Sequence, residues 1–162
     1  MVLKALMPDI RKLETEAVIV GFHEDVRPLK GAAGALDWIL CGSLSRLILT
    51  RKISGALGDV ALLTTKGKIP ATKLFMVGLG PRAEGSAASL REAARTAASS
   101  AVGAGISRAL IDCFPLGNAD DDHALRALAE GFRDGAAGSS LELTLYAPDP
   151  ASYDRLSRFV AS

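Results

Sequence analysis

A chain of 162 residues has room for one domain, and for a core that needs neither disulfides nor a metal. With 19 basic and 18 acidic residues its net charge is +1, which excludes an overall polycation field for nucleic acid and an acidic field for a basic partner. Hydrophobic residues make up 49% but aromatics only 5%, so the core is expected to be Ala, Leu, Val and Ile, small enough for helices to lie close on a sheet.

The first predicted strand is Val2 to Leu6. Its surroundings are too short, and too soon interrupted by Pro8 and Asp9, for a signal peptide. No apolar run approaches the ~18 residues of a membrane span, so a soluble, cytoplasmic protein without membrane contact is expected. Ala17-Val18-Ile19-Val20-Gly21-Phe22 is continuously apolar and rich in β-branched residues, the mark of a strand buried on both faces. His23, Glu24 and Asp25 leave the sheet.

A helix is expected through Leu36, Ile39, Leu40, Leu44, Leu47 and Ile48, which fall near the 3.6 period. Gly31 and Gly34 lie at or before its start, and Gly42 inside it reads as a close packing contact. Val60 to Thr64 and Leu74 to Val77 are strands, expected to pair as a wide hairpin across Lys66-Gly67-Lys68 and Pro70. Ser89 with Glu92 reads as a capping box. The helix behind it buries Leu90, Ala94, Ala97 and Ala101 and is stopped by Gly103 and Gly105.

Ala109-Leu110-Ile111-Asp112-Cys113-Phe114 is the next strand. Asn118-Ala119-Asp120-Asp121-Asp122 opens a helix where acids suit the positive dipole end, with Leu125, Leu128, Ala129 and Phe132 buried. Leu141 to Tyr146 alternates, as a strand with one wet face or at an edge would. Asp149-Pro150 starts a last helix with the stripe Tyr153, Leu156 and Val160. Strands alternating with helices, plus one hairpin, predict an α/β fold on a mixed sheet covered on both faces, residues 1–162 forming a single domain.

Chemistry finds few footholds. A two-metal hydrolytic site needs carboxylates converging on cations ~3.5–4 Å apart. The dense acidic cluster is Asp120, Asp121 and Asp122, and consecutive helical residues point ~100° apart. His23 and His123 are the only histidines, His23 reading as a strand exit and His123 as an exposed residue. No Gly-x-Ser-x-Gly elbow is present. Cys41 and Cys113 sit among apolar neighbours without zinc or CxxC spacing and read as buried thiols. No catalytic residue, metal ligand or cofactor is expected in the chain.

Five segments carry a family likeness. Leu36-Asp37-Trp38-Ile39-Leu40-Cys41-Gly42-Ser43-Leu44 resembles the Leu-Asp helix of the leucyl aminopeptidase N-terminal domain. Ile53-Ser54-Gly55-Ala56-Leu57-Gly58-Asp59 is similar to the turn after it, and Lys73-Leu74-Phe75-Met76-Val77-Gly78-Leu79-Gly80 to that domain's most recognisable strand and loop. Ser89-Leu90-Arg91-Glu92-Ala93-Ala94-Arg95 and Ala127-Leu128-Ala129-Glu130-Gly131 resemble its two following helices. The likeness implies a three-layer, macro-domain-like mixed β-sheet with helices on both faces. It also implies a non-catalytic module for assembly or regulation of the peptidase or for stand-alone protein interaction, whose partners are a peptidase catalytic domain or further copies of itself, as in the family's hexamers.

The family's catalytic domain binds two divalent metals. Its lysine, aspartate and glutamate ligands and its Asn-Thr-Asp-Ala-Glu-Gly-Arg signature have no counterpart among these residues. Gly135-Ala136-Ala137-Gly138-Ser139-Ser140 stands where the family has a longer aromatic and basic segment. Two alternatives stay open. The macro-domain likeness implies a binder of ADP-ribose or a similar nucleotide, with Gly31, Gly34, Gly78, Leu79 and Gly80 near the ligand. Against it, Pro115 to Asp122 offers a diphosphate one glycine and three acids. The other alternative is one part of a metal-dependent aminopeptidase whose catalytic domain lies on another segment or chain.

Overall fold

Ala17–Phe22 is a run of six buried residues, and its strand, β2, lies in the interior of the sheet. The computed structural model describes residues 1–112, 114 and 121–162, with Asp121 described in its backbone alone. Alternate side chains of β2 enter two different cores. Ile19 packs with the helices of one face, while Val18, Val20 and Phe22 pack with those of the other. Burial on both sides is why the run shows no polar alternation.

Around β2 the described sheet has six strands. They are β1 (Val2–Leu6), β2, β3 (Val60–Thr64), β4 (Lys73–Gly78), β5 (Arg108–Asp112) and β6 (Glu142–Tyr146), in the order β1-β6-β5-β2-β4-β3. Only β3 runs antiparallel, paired with β4 from Val60 opposite Val77 to Thr64 opposite Lys73, which is the expected wide hairpin. The helices are α1 (Gly31–Ile39), α2 (Ser43–Leu49), α3 (Ala87–Gly103), α4 (Asp121–Gly135) and α5 (Pro150–Ala161). Residues of α1 and α2 belong to one core and residues of α3, α4 and α5 to the other, so the expected three-layer mixed α/β architecture is present. No single helix among the described residues is long and apolar enough to cross a membrane.

Three expectations are corrected. The helix expected through Leu36 to Ile48 is two helices bent by 105°. Cys41 (φ 55°) and Gly42 (φ 79°) are consecutive left-handed residues, and a Cβ at Gly42 would meet nothing within 4 Å. Gly42 is therefore there for its backbone angle, not for a close contact. The apolar period carries across the corner because both helices bury residues on the same core. Second, Cys41 is exposed, since the corner carries it outward; Cys113 lies outside the described residues. Third, the capping box is Ser86 with Ser89, each side chain accepting from the other's backbone N–H at 3.1 and 2.8 Å. Glu92 lies a turn further in and pairs with Arg95. Of the two settings expected for β6, the wetter face holds and the edge does not, since the strand is interior, between β1 and β5. Its alternation comes from a half-covered face carrying Glu142, Thr144 and Tyr146, opposite the buried Leu143 and Leu145. The expected opening of α4 at Asn118 to Asp120 lies outside the described residues.

The α1–α2 corner is held from a distance. Asp37, in α1, accepts from the backbone N–H of Leu44 (2.9 Å) and Ser45 (3.0 Å) and from the Ser45 hydroxyl. It thus caps a helix whose own N-cap is a glycine with no side chain to offer. Asp37→Ala is expected to destabilise the protein by about 1–2 kcal/mol. Urea unfolding followed by circular dichroism reads this; an unchanged midpoint would show the corner to be held by packing alone.

On the opposite layer, α3 and α4 touch backbone to backbone. A Cβ at Gly131 would land on the carbonyl oxygen of Arg91 and 2.8 Å from the Ala94 Cβ. At Gly135 it would land on the carbonyl oxygen of Arg95 and 2.9 Å from the Ala98 Cβ. Arg91 closes the outside of this seam by pairing with Asp134 (2.8 Å) and Glu130 (3.2 Å).

Candidate functional site

In open sheets of parallel strands, ligands sit in the crevice beyond the strands' carboxyl ends. Here those ends are Phe22 of β2, Gly78 of β4 and Asp112 of β5. The loops leaving β2 and β4 are tied to each other and to the loop before β3. Gly78 donates its N–H to the Asp59 carbonyl (2.8 Å), Leu79 to the Phe22 carbonyl (2.9 Å) and Gly80 to the Gly55 carbonyl (2.9 Å). The Gly80 carbonyl accepts from the Glu24 N–H (3.2 Å) and lies 3.1 Å from His23 Nδ1. Asp25 accepts from the Arg82 N–H at 3.0 Å.

Asp59 anchors the third strand of this knot. Its carboxylate accepts from the Ser54 N–H and hydroxyl, and the hydroxyl bond is the main reason it is held below the usual carboxylate range. Gly78 has no room for a side chain: a Cβ would strike the carbonyl of Ala56 and the backbone of Gly55. The Ser-Gly-Ala-Leu-Gly-Asp and Val-Gly-Leu-Gly segments therefore read each other.

This bears on the glycines placed near a ligand. Gly78, Leu79 and Gly80 are buried, and all three of their N–H groups already meet a backbone carbonyl. An anion binding there would have to displace those carbonyls. Gly31 is exposed in the first turn of α1, and Gly34 follows half-buried, its Cβ position 2.5 Å from the Leu29 carbonyl oxygen. The N-cap of α1, Lys30, makes no side-chain capping bond. Among the described residues no hydrogen bond joins the α1 glycines to the Gly78–Gly80 loop. The acidic turn that would face a diphosphate, Pro115 to Asp120, lies outside the described residues, and Asp122 is exposed.

The sequence reading passed over Asp112. It closes β5, in parallel register with Tyr146 of β6. Burial pushes its carboxyl up to about 7. The Tyr146 phenol is raised as well, first by burial and then by the charges of Asp112 and Asp9. The available signal was an acid placed inside an apolar strand run. Near neutrality such a carboxyl is part protonated, so it can donate as well as accept a hydrogen bond. It has no metal-ligand neighbours: among the described residues no three His, Cys, Asp or Glu side chains converge as a metal site would need.

Among the described residues the most exposed large apolar side chains lie elsewhere, on the α1–α2 layer. Trp38 is 87% exposed and Leu49 81%. Trp38 is the only tryptophan in the chain.

Against known proteins, residues 19–137 match the family model described as the cytosol aminopeptidase family, N-terminal domain. A probable cytosol aminopeptidase of Geobacter sulfurreducens is 34% identical over 110 residues, which is 67% of this chain and 22% of that relative. Among solved structures, a mutant tomato leucine aminopeptidase superposes with a TM-score of 0.72 at 18% identity, over 99% of this chain and 35% of that one. A macrodomain of Oceanobacillus iheyensis, solved with ADP, superposes with a TM-score of 0.77 at 12% identity, over 98% of this chain and 90% of its own. The last two show the fold alone. The chain thus spans about a fifth of its curated relative and about a third of the tomato enzyme.

Proposed function

The chain belongs to the cytosol aminopeptidase family, matching its N-terminal domain, and from that premise we propose that it is a non-catalytic module for assembly or regulation of a peptidase. The carrying observation is the α1–α2 layer, in which Trp38 of α1 and Leu49 of α2 each stand almost fully in water. A large side chain left exposed forfeits about 1.5–3 kcal/mol of burial, so a surface presenting two of them gains by being covered. The partner is a peptidase catalytic domain or a second copy of the chain.

Trp38 reports its own burial. Mixing the chain with a family aminopeptidase from the same cell is expected to shift its emission to shorter wavelength and to raise the mass measured by light scattering. Trp38→Ala with Leu49→Glu is expected to abolish the mass increase. A chain that stays monomeric on its own and in the mixture, with Trp38 wet in each, would sink the proposal.

The macro-domain-type reading rests on the shared fold and on the α1 first turn, with Gly31 and Gly34 as its remaining candidates. Calorimetry with ADP-ribose tests it: heat at millimolar ligand supports it, and none removes it. A part-aminopeptidase reading would show as peptide cleavage with added manganese or zinc, and no turnover is expected from this chain alone.

A further inference from the structure

On the sheet face opposite Trp38, an open groove of about 1110 Å³ runs between α4 and α5. Its floor is apolar, with Leu3 of β1 and Phe159 of α5 half-buried against the core and Ala129 of α4 buried. Its walls are arginine. Arg126 and Arg133 line it from α4, Arg155 and Arg158 from α5.

Arg126 and Arg133 are exposed, and among the described residues neither has an ion-pair partner. Arg158 is exposed and donates from Nε to the Asp154 carbonyl (3.2 Å), a neutral acceptor. By contrast Arg91 and Arg95, on the far side of α4, are each paired with carboxylates. Among the described residues the groove is lined by four arginines and two acids, and one of those acids, Glu130, is committed to Arg91 at 3.2 Å.

We propose that this groove docks an acidic amphipathic helix of a partner protein. Arg126 and Arg133 are seven residues apart, two turns along one face of α4 and so about 10.5 Å apart along its axis. Carboxylates at the same spacing on a docked helix would meet both. Leu3, Phe159 and Ala129 lie between the two arginine walls, where the helix's apolar stripe would rest. Arg126 and Arg133 supply fork-shaped donors suited to carboxylates. A nucleic acid fits less well. Its unbroken phosphate line would pass Asp122 and Glu130, while a helix can space its charges around them. The groove lies on the other layer from the α1–α2 corner, so the inference stands whether or not that corner binds a peptidase.

The test uses the 162-residue chain and a fluorescein-labelled 18-residue peptide of Glu, Ala and Leu, with the leucines along one face. Fluorescence polarisation is expected to show micromolar binding that weakens at least about tenfold in the Arg126→Glu, Arg133→Glu double variant and as salt is raised. Arg126→Lys is expected to fall between, since charge is kept and the fork is lost. If charge reversal unfolds the chain by circular dichroism, the Arg126→Gln, Arg133→Gln pair gives the same reading. No binding, or binding indifferent to these arginines, overturns the proposal. So does equal binding of a labelled peptide of Glu alone, or displacement by single-stranded DNA at similar concentration, since either marks a general anion surface.

Discussion

Replacing Gly131 or Gly135 with leucine is expected to remove most of the protein's stability, more than about 4 kcal/mol of the ~5–15 typical of a domain. At both positions the first side-chain atom already collides with a backbone carbonyl of α3, which cannot swing aside as a side chain would. The helices must separate, and Leu90, Ala94, Leu128 and Phe132 then lose their packing along the seam. Alanine at either position is expected to cost about 1–3 kcal/mol, because overpacking outweighs the better helix propensity. Gly103 supplies the contrast. It too lies in a helix, but a Cβ there meets nothing within 4 Å. Gly103→Ala is expected to be neutral or to stabilise by up to about 1 kcal/mol. Urea unfolding of the variants decides: like effects at 103 and 131 would refute the close seam.

The second large effect is one of pH. Between its ordinary 3.8 and about 7, Asp112 keeps a proton in the folded protein that the unfolded chain has released. Stability associated with this carboxyl is therefore full below pH 4 and lost as pH rises through 7. The gap of about 3 between the two values, at ~1.4 kcal/mol each, sets the scale at about 4 kcal/mol. Asp59 and Asp149 work in the opposite direction, their carboxylates held low by hydrogen bonds from Ser54 and Ser152, so their contribution is lost only as pH falls below 4. Tyr146 acts only above pH 10. Glu92, held below its ordinary 4.5 by the Arg95 hydrogen bond, acts in the same direction as Asp59 and Asp149, so the interval from about 5.5 to 7.5 isolates Asp112 among the shifted groups. Unfolding free energies are expected to decline across it in the wild type and to stay flatter in Asp112→Asn, which ends more stable at pH 8. Equal slopes in the two proteins would show Asp112 to be hydrated in the folded state.

Much of the fold could be read from local pattern. The apolar run at Ala17 to Phe22 announced a strand covered on both sides, and Lys66-Gly67-Lys68 between two strand runs announced the β3–β4 hairpin. The family likeness supplied the layer order that no single segment contains. What escaped was anything set by one residue's backbone angle or by a distant partner. The corner at Cys41 and Gly42 leaves the 3.6 period almost intact, so periodicity ran through it. Asp37 works at Leu44 and Ser45, beyond the reach of a capping rule that looks three residues ahead. The Gly78-Leu79-Gly80 loop was legible as a backbone feature, but not the carbonyls that fill it, since these come from Phe22, Gly55 and Asp59. Arg126 and Arg133 share a helical face by spacing alone, yet only the sheet brings α5 beside them.

The two ends of the sheet's chain order carry a consequence for synthesis. β1 bonds only to β6, with Val2 opposite Glu142 and Leu6 opposite Tyr146. During translation β1 therefore has no sheet neighbour until β6, some 140 residues later, leaves the ribosome. Loop closure over some 140 residues makes this a late and slow contact. Until the two meet, β6 is an open edge and Leu3 and Ala5 are uncovered, so the nascent chain is open to mispairing there.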